Sequence, residues 1–568
     1  MLEHVFEALA REPAVASLAN CAGRALCATG RLPEGEAYLR KAVELAPADP
    51  NLLADLGTAL LALKRHDEAV RMFEAAFEAS GGNVAALGNL AAALFEAGRS
   101  GEAIDRFRTV VARQPALGAA HGNLAGALLR SGQVDEALNS YRRLLELEPG
   151  NATAFSESLA SMNYECRLSK TQVARLHRRY GERFEAPVAR RAPGYVNSRD
   201  PQRRLRIGYV SADLGRHSVA YFLEAVLASH DPNAVDVHVY SNRRIEDLVT
   251  ARLRGYVEHW HLIANASDDA AEQLIRAHSI DVLVDLHGHT AGNRLPLFAR
   301  RPAPIQATWL GYPNTTGLTA VDYRITDAIA DPPGLTEPLH TEELVRLPDG
   351  FLAYRPLETA PEVGPLPCLD RGYVCFASLN NRPKVGFGPV ELWARLLLAL
   401  PGSRLILKAR DRDSAARQLR AAFESQGVSG TRVDVVGWDA DPADHLAQYG
   451  SVDIALDTFP YAGTTTTCEA LWMGVPVVTL AGEVHAGRVG ASLLKRVGLP
   501  ELVAKSRDEY LRIAVELAND VGRLGALRAG LRAAMRASPL LDGPRLARQL
   551  ETTYRHLWLR WLGRSASA

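Results

Sequence analysis

The chain has 568 residues, 47% of them hydrophobic and 23% charged: a globular composition, and too long for a single hydrophobic core. Lys plus Arg and Asp plus Glu both number 65, so the charge balance gives no support to a global nucleic-acid or membrane-surface role. The six cysteines (21, 27, 166, 368, 375 and 468) are scattered without a CxxC spacing and predict reduced thiols rather than a disulfide frame or zinc site. The opening MLEHVFEALAREPAV has no basic stretch leading into an apolar core, and no apolar run reaches the ~18 residues of a membrane span. A soluble, cytoplasmic protein is expected.

The first third repeats every 34 residues: small residues recur at Gly23, Gly57, Ala91 and Ala125. Further columns hold Gly30, Lys64, Gly98 and Gly132, then Gly35, Ala69, Ala103 and Ala137. This pattern resembles tetratricopeptide repeats, each a pair of antiparallel helices, and predicts an α-helical solenoid over 1–168 with units near 16–49, 50–83, 84–117 and 118–151. Asn89 and Asn123 share one repeat position, where earlier units have Cys21 and Asp55. They are read either as peptide-binding groups that hydrogen-bond the backbone of an extended chain, or as solvated surface residues.

The period then stops. SKTQVARLHRRYGERF reads as an amphipathic helix within a linker, 169–202. From 203 the grammar becomes strand–helix: LRIGYVSADL, VDVHVYS and IDVLVDLHGHT are strands with helices between them. A second such unit supplies YVCFASL, SRLILKA, RVDVVGW, VDIALDT and VPVVTLA. Alternation of this kind predicts two Rossmann-like domains, 203–365 and 366–542, each a covered parallel sheet, with a ligand cleft at the strands' carboxyl ends. Neither opening turn carries GxGxxG, so a dinucleotide redox role has no support. The tail, 543–568, is amphipathic and is expected to pack back across these two domains.

Between VDIALDT and the helix CEALWMG stand Gly463 and four threonines, Thr464 to Thr467. A loop that leads from a strand into a helix offers free N–H groups and the positive end of the helix dipole. Gly463, Thr464, Thr465 and Thr466 are therefore read as a diphosphate cradle, with a capping box of Thr466 and Glu469 as the plainer alternative.

Together, RLRIGYVSADLGRHS, RPAPIQATWLGYPNTTG, DYRITD and DTFPYAGTTTTCEALWMGVPVVTLAGEVHAGRVGASLL behind such repeats resemble glycosyltransferase family 41, the protein O-linked N-acetylglucosamine transferases of GT-B fold, in a bacterial form. The resemblance implies an inverting enzyme that transfers GlcNAc from UDP-GlcNAc to Ser/Thr hydroxyls of proteins without a metal or other cofactor. It implies catalytic roles for His217, facing the acceptor and the donor's phosphate side, and Lys384, on the diphosphate. Thr465 and Thr466 match the phosphate-binding pair, Glu469 stands where the family has a ribose-contacting aspartate, and His445 matches the histidine stacked on uracil. Thr290, Leu310, Gly311 and Tyr461 match positions around the sugar, Tyr461 replacing a smaller residue. A lysine and an arginine that flank the uracil histidine in the family are Pro442 and Gln448 here.

The residue types suit the chemistry. As the sugar bond breaks, charge builds on the β-phosphate, where a lysine and a helix terminus stabilise it. A histidine takes the acceptor proton or orients the hydroxyl. His287 and His289 in HGHT lack a third metal ligand at familiar spacing, and Asp439 and Asp441 read as helix caps. Expected partners are a nucleotide-sugar donor and protein or peptide acceptors, with no nucleic acid and no membrane span. The rival readings are a transferase using GDP-fucose or UDP-glucose, and an inert repeat-based interaction protein.

Overall fold

Small residues at each helix crossing decide the architecture of the repeats. The computed structural model describes residues 2–12, 14–165, 167–187, 194–439 and 441–566. Ala16–Ala28 pairs with Leu32–Leu45, Pro50–Ala62 with His66–Ala79, Val84–Glu96 with Ser100–Arg113, and Gly118–Arg130 with Val134–Leu147. A Cβ on Gly23 would lie 2.8 Å from the Gly35 carbonyl oxygen, so any larger residue would force the first pair apart. The second sequence column is the turn between helices: Gly30, Gly98 and Gly132 have φ of +83°, +81° and +83°, and Lys64 takes the same left-handed form at +60°. Leu56, Leu60, Phe73, Leu90, Leu94, Phe107 and Leu128 run through the pairs as one core. The first helices of successive units touch one another and so share a face. Asn89 and Asn123 are exposed on two of those helices.

Contacts divide the chain into two units, Met1–Asn151 with Arg410–Gln418, and Ala152–Ala409 with Leu419–Ala568. The helix Ala152–Met162, grouped with the repeats on sequence, falls in the second. Its Leu159 is buried with Tyr180, Leu283, Leu295 and Phe298.

Among the described residues of that second unit, the strands form two sheets, parallel throughout. The first contains β1 (Leu205–Ser211), β2 (Val235–Ser241), β3 (His259–Leu262), β4 (Val282–Asp285), β5 (Ile305–Thr308), β6 (Tyr323–Asp327) and β7 (Glu343–Leu347), in the order β3-β2-β1-β4-β5-β6-β7. The second contains β8 (Cys375–Ser378), β9 (Arg404–Lys408), β10 (Val433–Val436), β11 (Ile454–Leu456), β12 (Val477–Leu480) and β13 (Val503–Ala504), in the order β10-β9-β8-β11-β12-β13. Order reverses between β1 and β4 in one sheet and between β8 and β11 in the other. Loops diverge at these points and leave a crevice at the strands' carboxyl ends.

Buried polar contacts tie the sheets together. His485 Nδ1 lies 2.6 Å from Asp331 Oδ2, Arg488 donates to the Ile329 carbonyl at 2.8 Å, and Ser492 donates to Asp327 at 2.5 Å. Burial opposes ionisation of Asp331, but His485 and His340 hold its pKa below the usual carboxylate range. The C-terminal helix Gly543–Ala566 buries Leu546, Leu550, Tyr554 and Leu557. Its contacts on the first-sheet side include Tyr554 with Tyr209 at 3.1 Å and Arg560 with Glu343 at 2.7 Å. No described helix is long and apolar enough to cross a membrane.

Candidate active site

The first reversal point carries an acid flanked by two histidines. His217 lies in the loop after β1, its Nδ1 3.3 Å from Asp213 Oδ2 and 3.3 Å from the Val219 amide that donates to it. On its other side Asp213 meets His287 Nδ1 at 3.4 Å, and His287 Nε2 faces the Ala291 carbonyl at 3.0 Å. Burial raises the Asp213 pKa to about 7, against the pull of Arg243. The recess lowers the His217 pKa to about 4, through lost hydration first and Arg243 second. At neutral pH His217 is an uncharged imidazole. An ionised Asp213 favours the tautomer whose Nδ1–H it accepts in place of the Val219 contact, and leaves Nε2 with its lone pair. A protonated Asp213 donates to Nδ1 instead, which puts the hydrogen on Nε2.

The sugar-side positions expected from the sequence stand around the same loops. Thr290 donates its hydroxyl to the His287 carbonyl at 2.8 Å. Leu310 has φ +73°, a strained setting for a branched side chain. A Cβ on its neighbour Gly311 would lie 1.7 Å from the Leu286 carbonyl oxygen, so only glycine fits there.

The second reversal point carries the threonine run. Thr464 is the N-cap of Thr465–Trp472 but makes no side-chain cap hydrogen bond, and that helix opens with the threonine run. The alternative capping box does not form. Thr466 donates to Asn380 Oδ1 at 2.9 Å, while Glu469 Oε2 lies 3.2 Å from His445 Nε2. Gly463 does not offer a free amide either: its N–H donates to Asp457 Oδ1 at 2.6 Å. Asp457 also accepts from the Thr458 amide at 2.9 Å and the Thr479 hydroxyl at 2.6 Å, and so fixes the loop from beneath. Gly463 is required for space instead, since a Cβ would lie 2.7 Å from Thr466 Oγ1.

Lys384 follows β8 in a short 3-10 turn and donates to the Ala462 carbonyl at 2.7 Å, beside the threonine loop. Its Nζ lies 3.9 Å from the centre of the Tyr461 ring. Burial lowers its pKa to about 8, with Asp457 acting the other way. The Tyr461 ring in turn stacks on Tyr164, with centroids 5.3 Å apart. Tyr461 thus brings Lys384 to the first-sheet half, where Tyr164 precedes β1.

His445 sits at the end of a chain of polar groups. Lys408 Nζ is 3.0 Å from its Nδ1, and the same Nζ lies 4.2 Å above the Trp438 ring. Trp438 is 62% exposed and offers a flat face beside His445, with nothing in the local sequence to announce it. Pro442 opens the helix Pro442–Ala447, and Gln448 donates to Asp439 rather than reaching toward His445. Asp441 caps that helix through the Ala443 amide at 2.8 Å. His289 is fully buried and committed to the Thr316 carbonyl at 2.8 Å and Ser156 Oγ at 3.0 Å, so it does not pair with His287.

Residues 187–354 and 368–550 match the glycosyl transferase family 41 profile. The chain belongs to that family. Tetratricopeptide repeat profiles match 14–81, 60–116 and 94–160. The chain aligns with a Petunia hybrida protein described as a probable UDP-N-acetylglucosamine--peptide N-acetylglucosaminyltransferase SPINDLY, 47% identical over 71% of this chain and 44% of that protein. It also aligns with the Arabidopsis thaliana protein of that description called SEC, 32% identical over 63% of this chain and 37% of the other. The chain therefore spans less than half the length of these curated relatives. A solved structure, a lysine-to-methionine mutant of the Thermobaculum terrenum O-GlcNAc transferase, superposes with a TM-score of 0.85 at 37% identity, covering 91% of this chain and 98% of that one. A family 41 GT-B fold behind tetratricopeptide repeats accounts for both sheets and the helix pairs.

Proposed function

We propose that this chain transfers N-acetylglucosamine from UDP-GlcNAc to Ser or Thr hydroxyls of proteins, with inversion and without a metal in the reaction. The observation that carries the reading is the placement of Lys384 against the loop that leads into the uncapped helix Thr465–Trp472, a cation beside a helix N-terminus suited to a diphosphate leaving group. The Nε2 of His217, set by Asp213, takes or orients the acceptor proton. Family membership and the names of the curated relatives and the Thermobaculum structure support the sugar and the protein acceptor. Trp438, His445 and Lys408 are assigned to the nucleotide base. We read the repeats as the acceptor-binding arm. A cytoplasmic setting fits the five described cysteines, all unpaired, and a bacterial source fits the near-complete overlap with the Thermobaculum chain.

The test offers UDP-GlcNAc, UDP-glucose and GDP-fucose in parallel to a protein acceptor, in excess chelator, and reads the product by mass spectrometry. GlcNAc transfer at an undiminished rate is expected. Faster transfer of another sugar would overturn the donor assignment. Abolition by chelator, with recovery on Mg²⁺ or Mn²⁺, would overturn the proposed phosphate chemistry.

A further inference from the structure

Four of the chain's 16 histidines gather at one edge of the first sheet, away from either reversal point. In the β2–β3 register His238 pairs with His259 and Tyr240 with His261, and the alternation of side chains puts all four rings on one face. His278, at the carboxyl end of the helix Asp268–Ala277, completes the group, with its ring 4.4 Å from that of His261 and 5.2 Å from that of His238. Nothing in the transferase reading uses these side chains.

The spacing is that of a chelate. His238 Nδ1 and His261 Nε2 are 3.3 Å apart. Two imidazole nitrogens on one tetrahedral ion, with bonds of ~2.0–2.1 Å, stand about 3.3 Å apart. One ring nitrogen from each of His238, His261 and His278 lies within 4.8 Å of the other two, so a small closing movement of His278 completes three ligands. We propose that His238, His261 and His278 bind one divalent first-row transition ion of the zinc class, with the fourth position left to water.

The surroundings fit that assignment. His238 Nε2 is buried without a hydrogen-bond partner and lies 3.7 Å from Asp236 Oδ2, the arrangement in which a carboxylate orients a metal-bound imidazole. Arg204 holds Asp236 from the other side at 3.3 Å, with Arg206 at 3.9 Å, which leaves the carboxylate to orient His238 rather than to ligate. Tyr240 Oη is 2.8 Å from His278 Nδ1 and accepts its N–H when Nε2 serves as ligand. Imidazole sets favour Zn²⁺, Cu²⁺ and Ni²⁺ over Mg²⁺ or Ca²⁺. Such an ion would clamp the edge strand β3 to β2 and to the end of the following helix.

The experiment is calorimetric titration of Zn²⁺ into the chelator-treated, untagged full-length protein at pH 7.5, with wild type beside a His261→Gln, His278→Gln double variant. One equivalent should bind the wild type with micromolar or tighter affinity, and the double variant should lose that step by at least tenfold while keeping its rate of donor hydrolysis. If the double variant misfolds, His278→Gln alone, at a half-buried helix end, should show the same loss. Absence of binding in the wild type, or equal binding in a folded variant, would overturn the site. The outcome is independent of the transferase reading, because Zn²⁺ stoichiometry is read without any sugar donor.

Discussion

The most informative single residue is Asp213, because it decides which nitrogen of His217 is basic. Its carboxyl titrates near 7 and must be ionised to hold Nδ1–H. Lys384 titrates near 8 and must be charged to receive the diphosphate. Activity should therefore rise with pH through about 7 and fall through about 8. In kcat/KM, which reports the free enzyme, the expected profile is a narrow bell. In kcat the falling limb should move to higher pH, since a bound diphosphate favours the charged lysine. Asp213→Asn should abolish the rising limb and lower kcat/KM by ~10²-fold or more. A variant that keeps the limb near 7 would show that another group controls it. His217, Lys384 and the threonines could be found in the sequence by their motifs, yet their working partners could not. Asp213 is four residues from His217 in a loop where an acidic residue signals nothing by itself. Lys408 closes a strand and Trp438 follows another, and neither spacing links them to His445. Asp457 stands in the quoted motif, but that it takes the Gly463 amide follows only from the loop's path.

At the scale of elements, the loop from β11 into Thr465–Trp472 is held tight by close packing. A Cβ on Gly463 would meet Thr466 Oγ1 at 2.7 Å, Thr467 Oγ1 at 2.8 Å and Asp457 Oδ1 at 3.1 Å. Gly463→Ala should therefore push the first helical turn off its seat, at a cost of about 1–3 kcal/mol. UDP titration should show roughly tenfold weaker binding, equivalent to about 1.4 kcal/mol. Unchanged affinity would mean that the threonine turn does not hold the donor. The strands that were legible in the sequence are the apolar ones: β1, β2, β4, β8, β9, β10, β11 and β12. Those that escaped have identifiable reasons. β3 is an edge strand of His-Trp-His-Leu, β5 is a four-residue Ile-Gln-Ala-Thr, β7 is another edge that carries Glu343 and Arg346, and β13 is two residues long. β6 buries Arg324, whose side chain donates to the Tyr312 carbonyl at 2.9 Å, a long-range satisfaction that no local pattern reveals.

At the scale of the whole molecule the chain separates into two units, and the proposed chemistry lies wholly in the one holding the two sheets. Both reversal points, Lys384, His217 and the base-side group of Trp438, His445 and Lys408 belong to it. On the proposed reading the repeats have a different task. Their first helices share a face, and on it Asn89 and Asn123 are exposed at equivalent positions one unit apart. An amide side chain offers both a donor and an acceptor and can bond the backbone of an extended polypeptide without reading its side chains. Each net hydrogen bond contributes about 0.5–1.5 kcal/mol, so removing both should weaken acceptor capture by roughly tenfold. Asn89→Ala with Asn123→Ala should raise KM for a protein acceptor by that factor. UDP affinity and donor hydrolysis should stay at wild-type values, because neither asparagine belongs to the unit that holds the donor site. Steady-state kinetics on a protein acceptor and UDP calorimetry on the same preparation separate the two effects. Loss of UDP affinity in the double variant would make the repeats part of the donor site and undo the division of labour. Unchanged KM on every protein acceptor would mean that the asparagines are solvated surface groups, and that any capture runs through other residues of the shared face.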